Sequence, residues 1–229
     1  MDENTKKQYT FEKVVRKSPY DYIHLPRNVC YRLPNFTPLV GRTYTAKVIY
    51  EGNEYMSTQT VHQAPIVEKV TFKPYSTIDE SRGLFRPFLY ISDPNPSMPN
   101  YYLFVNDLSR YYFSRDGYES HYMPLSLLTD YGMNNIYGGV EMSLGMGCVD
   151  SQKGTGVGSE FDFEVMSISK ENYDFFVEME KQITTDGGVY TPCPVTPPTN
   201  FSGERVMGQF IATDAKNYHF KATDDNIEK

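Results

Sequence analysis

The glycine run Gly154-Thr155-Gly156-Val157-Gly158 is the nearest this chain comes to a phosphate cradle. It lacks the third glycine at dinucleotide-fold spacing, and no helix-forming segment follows directly to add its N-terminal amides. A hairpin loop accounts equally well for these glycines and for Gly145 and Gly147. The four histidines, His24, His62, His121 and His219, are dispersed, and none stands four residues from another histidine or an acidic residue. The helical spacing that would pair two metal ligands is therefore missing, and a metal site would need distant segments to converge. No Gly-x-Ser-x-Gly elbow marks a nucleophilic serine. A hydrolase would require a pocket that gathers His121, Asp130 and a serine, or that joins Cys148 or Cys193 to a histidine.

The cysteines Cys30, Cys148 and Cys193 are far apart and form no Cys-x-x-Cys pair, which excludes a structural zinc ribbon or a thioredoxin-like centre. Buried free thiols are the expectation, with a bridge from Cys148 to Cys193 open in an oxidising compartment. The carboxylates Asp79 with Glu80, Glu160 with Asp162, and Asp224 with Asp225 read as turns or exposed runs. Asn35-Phe36-Thr37 and Asn200-Phe201-Ser202 would accept glycans only in a eukaryotic secretory pathway.

The aromatic residues carry more information. Tyr101, Tyr102, Phe104, Tyr111, Tyr112, Phe113, Tyr118, Tyr122, Tyr131 and Tyr137 are so dense that strand alternation must put some on the face opposite the core. Exposed tyrosines make good contact groups, since a rigid ring loses little entropy on binding and its hydroxyl adds a hydrogen bond. Tyr118, Tyr122 and Tyr131 flank Asp116-Gly117, Pro124 and Gly132, so they are expected at strand ends and are the candidate ligand or partner contacts.

The elements that must position these groups are mostly strands. Among 229 residues there are 20 Tyr, 14 Phe, 15 Pro, 16 Gly and no Trp, a mixture suited to strands broken by turns. Tyr44, Ala46, Val48 and Tyr50 alternate with polar neighbours, Glu51 to Glu54 turn the chain, and Tyr55 to Val61 return, which predicts a hairpin. Tyr9 to Val15, Asn28 to Leu33, Ile66 to Phe72, Leu84 to Ser92, Asn100 to Asn106, Arg110 to Arg115 and Ile136 to Leu144 read as further strands. One helix is expected over 169–184, with Ser169 as its cap and Phe176, Met179 and Ile183 as its core-facing stripe. Gly208 to Ala212 should enter a final strand, and Thr223 to Lys229 should be a solvated tail. A boundary near Ala64-Pro65 would divide a small unit, 1–64, from a main β-rich domain, 65–229.

Net charge is −7, so no broad positive field attracts nucleic acid or anionic lipid. No run approaches the roughly 18 apolar residues of a membrane-spanning helix, and Asp2 to Gln8 offer no export-signal core.

Several segments, taken in order, resemble one family. They are Asp93-Pro94 followed by Pro99-Asn100-Tyr101-Tyr102, then Ser167-Ile168-Ser169 with Tyr173, then Pro197-Pro198-Thr199-Asn200, then Val206-Met207-Gly208-Gln209-Phe210. The chain resembles the Bacteroidetes outer-membrane lipoprotein family catalogued as domain of unknown function 4249. The resemblance implies a partial immunoglobulin-like unit ending at Ala64-Pro65, followed by a larger β-sandwich or barrel-like domain with one long helix. It also implies a lipid-bearing cysteine and further strands ahead of the matched residues, without which the first sandwich keeps an open edge.

The resemblance further implies a cell-surface or outer-membrane binding protein that assists a TonB-dependent transporter in taking up a nutrient. Its membrane association would come only through the lipid anchor. It offers no catalytic residue, cofactor or metal ligand to carry over. A structural or adhesive surface module is the alternative expectation, ahead of a hydrolase.

Overall fold

A computed structural model describes residues 1–15, 29–74, 85–106, 125–130, 140–141, 160–184, 196–204 and 206–228. The strands are β1 (Glu12–Val15), β2 (Val29–Arg32), β3 (Thr43–Tyr50), β4 (Asn53–Thr60), β5 (Ile66–Pro74), β6 (Phe85–Ser92), β7 (Tyr101–Asn106), β8 (Leu125–Thr129), β9 (Val140–Glu141), β10 (Glu160–Ile168) and β11 (Ala215–Lys221). The helix α1 spans Lys170–Thr184. The chain is mainly β, built from antiparallel sheets, with one helix among the described residues.

Two sheets enclose the core. One is four-stranded in the order β11-β10-β7-β8 and the other three-stranded in the order β5-β6-β9. Alternation aims Phe104 of β7, Phe163 and Val165 of β10, and the half-buried Tyr218 and Phe220 of β11 to one side. There they meet Val70 and Phe72 of β5 and Leu89 and Ile91 of β6, which gives a sandwich-like packing. Phe163 stacks on Tyr218 and on Phe220, each at 5.6 Å between ring centres, so aromatic ladders fill the width that tryptophan would otherwise take.

The hairpin β3–β4 forms as its alternation predicts, in the register Tyr50↔Asn53 through Thr43↔Thr60. Its two-residue turn needs positive φ at both central positions, and Glu51 (+50°) and Gly52 (+81°) supply it. The hairpin is tied to the rest of the chain: Ser202 N–H donates to Met56 O (2.7 Å) and Gln59 Nε2 to Glu171 of α1 (2.9 Å). Ala64 and Pro65 are buried, with Ala64 N–H donating to Asp214 (2.9 Å) and Lys216 Nζ to Ala64 O (2.9 Å).

Glu160 and Asp162 lie in the inner strand β10, where Asp162 is exposed as expected while the neighbouring Phe163 and Val165 are buried in the core. The segment 206–214 leads, as expected, into the final strand β11, and is itself held by side chains in place of a ladder. The end of the chain is not a solvated tail: Phe72 N–H donates to Asn226 O and Glu228 N–H to Phe72 O, both at 2.8 Å, and Ala222 is buried. Among the described residues 223–228, Asp224 and Asp225 are the exposed ones. On α1, Phe176 and Met179 are half-buried, and the fully buried side chain is the polar Asn172, while Ile183's side chain lies outside the described set. The strand expected at Arg110 to Arg115 also lies outside the described residues, as does Ile136 to Leu144 except for β9.

Candidate functional site

Among the described residues, an apolar cavity of about 270 Å³ lies between the start of the chain, β3 and the segment 210–213. Its aromatic lining comes from Tyr9, Phe11, Phe36, Tyr44 and Phe210, with Ala46 and Ala212 leaving the space between them. Tyr9 packs on Phe36 at 4.6 Å, and Phe36 meets the edge of Tyr44 at 5.5 Å and 88°. Tyr44 is buried and its hydroxyl accepts Leu39 N–H at 3.0 Å, which fixes the ring as a wall. Lys7 Nζ stands 5.1 Å from the centre of the Tyr9 ring, a cation at the rim of an apolar space.

The opposite wall is positioned by asparagines. Asn200 grips Phe210 through both backbone groups, accepting its N–H (2.9 Å) and donating to its C=O (2.8 Å). Asn172 of α1 donates to the same carbonyl (3.1 Å) and to Gln209 Oε1 (2.9 Å). Thr199 Oγ1 donates to Gly208 O (2.7 Å) and Gln209 Nε2 to Pro198 O (2.6 Å). The stretches Pro197 to Asn200 and Val206 to Phe210, separate in sequence, are thus one clamped unit that presents Phe210 to the cavity.

The near edge of that cavity is held by Asp2, whose carboxylate accepts Arg42 Nη1 at 2.7 Å. Burial alone would raise its pKa, but hydrogen bonds from Thr5, Arg42 and the amides of Asn4 and Thr5 outweigh this and hold it at about 2.

A second polar cluster braces the junction of β6, β7 and β8. Asn100 Nδ2 lies 2.9 to 3.0 Å from Asp93 Oδ1, Asn95 O, Met98 O and Asp130 Oδ2. Asn100 N–H donates to Asp130 Oδ1 at 2.6 Å. Burial, and then the charge of Asp130, push the Asp93 carboxyl above its usual range, against the pull of Asn95 N–H. Burial and the two carboxylates also hold the Tyr102 phenol above its ordinary value, so it stays a donor toward Asp93. The hydrolase constellation around Asp130 does not take shape among the described residues: Asp130 is engaged with Asn100, and His121 lies outside them.

His219 Nδ1 lies 2.8 Å from Asp162 across β10 and β11, in a groove of about 300 Å³ that also takes in Glu164 and Asn217. Both partners are 56% exposed, so water screens the pair. Among the described residues no three His, Cys, Asp or Glu side chains converge as a metal site. Among them, too, no helix is long and apolar enough to cross a membrane. Tyr118, Tyr122 and Tyr131 lie outside the described residues, as do Cys148 and Cys193. Sequence reading missed the cavity because its walls come from four separated stretches; the aromatic residues Phe36, Tyr44 and Phe210 were the available signal.

The fold and the cavity define a mainly β, sandwich-like scaffold with one packed helix among the described residues. The chain belongs to the family described as Domain of unknown function (DUF4249), which matches residues 1–219. No curated protein and no solved structure matches it.

Proposed function

We propose that this is a non-enzymatic binding protein of the cell surface or outer membrane, accessory to a TonB-dependent nutrient transporter. In this reading the aromatic cavity takes an apolar portion of the ligand. The observation that carries the binding role is the clamped aromatic cavity itself: rigid rings around an open apolar volume are the usual form of a small-molecule site. The transporter association, the Bacteroidetes outer-membrane setting and the lipid anchor rest on the resemblance of the ordered motifs. The exposed Ile49, Tyr50 and Met56 of the hairpin favour a second reading, an adhesive module.

The test uses the dye 1-anilinonaphthalene-8-sulfonate as the apolar probe. Ala212→Phe places a ring in the cavity and should weaken dye binding by about tenfold, the loss of ~1.4 kcal/mol. The urea midpoint should stay close to that of the parent. Equal dye binding by both proteins would remove the cavity as the site. Co-purification from detergent-solubilised outer membranes tests the transporter: recovery of surface-matrix material with no transporter would select the adhesive reading.

A further inference from the structure

The aromatic cavity adjoins a face of the β1–β2 pair that carries a cation. In that pair Lys13 lies opposite Tyr31, and Glu12 opposite Arg32. Residues opposite one another share a face and neighbours along a strand alternate, so Glu12 and Arg32 stand on one face and Lys13 and Tyr31 on the other. Phe11, two residues before Lys13, and Leu33, two residues after Tyr31, keep that second face, and both line the cavity. Lys13 and Tyr31, both exposed, therefore continue the cavity wall outward. Lys7 is the second cation at this wall: its Nζ stands 5.1 Å from the ring centre of Tyr9, which also lines the cavity.

We propose that the cavity takes an amphipathic acid, a ligand with a ring-bearing apolar body and one anionic head. The body is selected by the lining: Tyr9, Phe36 and Tyr44 already meet one another in tilted and edge-on contacts, and a further ring gains from such contacts beyond the area it buries. The head is selected by charge. Lys7 and Lys13 are exposed, and neither is ion-paired among the described residues. The carboxylates closest in sequence are engaged elsewhere: Asp2 holds Arg42 at 2.7 Å and Glu3 holds Lys6 at 2.8 Å. Glu12 stands with Arg32 on the opposite face of its strand pair. The facing wall, Phe210 to Thr213, carries no charged side chain. In a chain of net charge −7, two unpaired ammonium groups at one apolar cavity are a local exception that favours an anion over a neutral or cationic ligand. Each sits on a flexible four-carbon stem, so either can swing to an anion at the cavity mouth.

The inference rests on the binding role proposed above and adds the chemistry of the ligand. The test is isothermal titration calorimetry of the whole chain with three naphthalenes that share one apolar body: the anion 2-naphthoate, its neutral isostere 2-naphthamide and the cation 2-naphthylmethylammonium. The acid should bind about fivefold more tightly than the amide, the scale of an exposed ion pair, and the cation most weakly. Lys7→Met combined with Lys13→Met should bring the acid down to the affinity of the amide. In the parent protein, raising the salt from about 0.02 M to about 0.5 M should narrow the gap between acid and amide, because exposed charges are screened. Failure of the acid to bind, equal binding of acid and amide, or a gap that outlasts either the double variant or high salt would overturn the proposal. Amide binding that falls with Ala212→Phe but matches that of the acid defeats only the anionic head, whereas probe binding insensitive to Ala212→Phe defeats the cavity reading.

Discussion

Asn100 and Asp130 clasp each other three times: the backbone N–H of Asn100 meets one carboxylate oxygen at 2.6 Å, its side-chain amide meets the other at 2.9 Å, and Asp130 N–H donates to Asn100 O at 3.3 Å. Both residues are buried, so each satisfies polar groups that water cannot reach. Removing the amide with Asn100→Ala leaves the Asp130 and Asp93 carboxylates with one donor fewer each and takes the side-chain donor from Met98 O, while Asn95 O keeps Met98 N–H. The expected cost is about 2–4 kcal/mol, since a buried charge loses a partner. Urea unfolding monitored by circular dichroism measures it, and a change below about 0.5 kcal/mol would show that solvent enters the junction.

Asp2 and Asp93 should respond to pH with opposite signs. Asp2, held at about 2 in the folded chain, binds fewer protons there than when unfolded, so its contribution is present above the ordinary value of 3.8 and is lost as pH falls toward 2. Asp93 is raised, so the folded chain binds more protons, and its contribution is present below the ordinary value and lost as pH rises through the folded one. Urea midpoints measured from pH 2 to pH 7 should therefore show Asp2→Asn losing its disadvantage toward the acid end. Asp93→Asn should improve relative to the parent as pH rises above about 4. Parallel curves for either variant would contradict its assignment.

The helix is anchored by a polar residue more than by its apolar stripe. Phe176 is half-buried, so Phe176→Ala should cost about 1–2 kcal/mol, below the 3–5 of a core aromatic. Asn172 is 1% exposed and holds Gln209 and Phe210. Asn172→Ala should cost about 1–3 kcal/mol and also weaken dye binding, because it releases a cavity wall. A larger stability loss for the phenylalanine than for the asparagine would reverse this ranking.

Two glycines separate backbone strain from steric contact. At Gly52, φ is +81° and an added Cβ meets nothing within 4 Å, so Gly52→Ala carries only the left-handed penalty of roughly 1–2 kcal/mol. At Gly203, φ is +114° and the Cβ would lie 2.9 Å from Tyr55 Cδ1. Gly203→Ala should thus cost more than Gly52→Ala, about 2–3 kcal/mol. Thermal melts of the two variants make the comparison, with equal losses showing that Tyr55 swings clear.

The sequence by itself determined the elements whose signals are local. The alternation from Tyr44 to Tyr50 with a turn at Glu51-Gly52 specifies the hairpin, and Ser169 before a helical period specifies α1, because period and capping act within a few residues. β10 stayed hidden: Asp162 and Glu164 stand on one face, and only the packing of Phe163 and Val165 against distant strands shows that the other face is core. Tertiary structure alone made Asn100 the hub of Asp93 and Asp130, brought Asn172 and Asn200 to one carbonyl, and turned the expected tail into an added edge on β5. Hydrogen bonds between groups tens of residues apart leave no period in a chain, since any donor can serve any acceptor that folding brings within 3 Å. The cavity is of the same kind, being a volume left between surfaces that no single segment encodes.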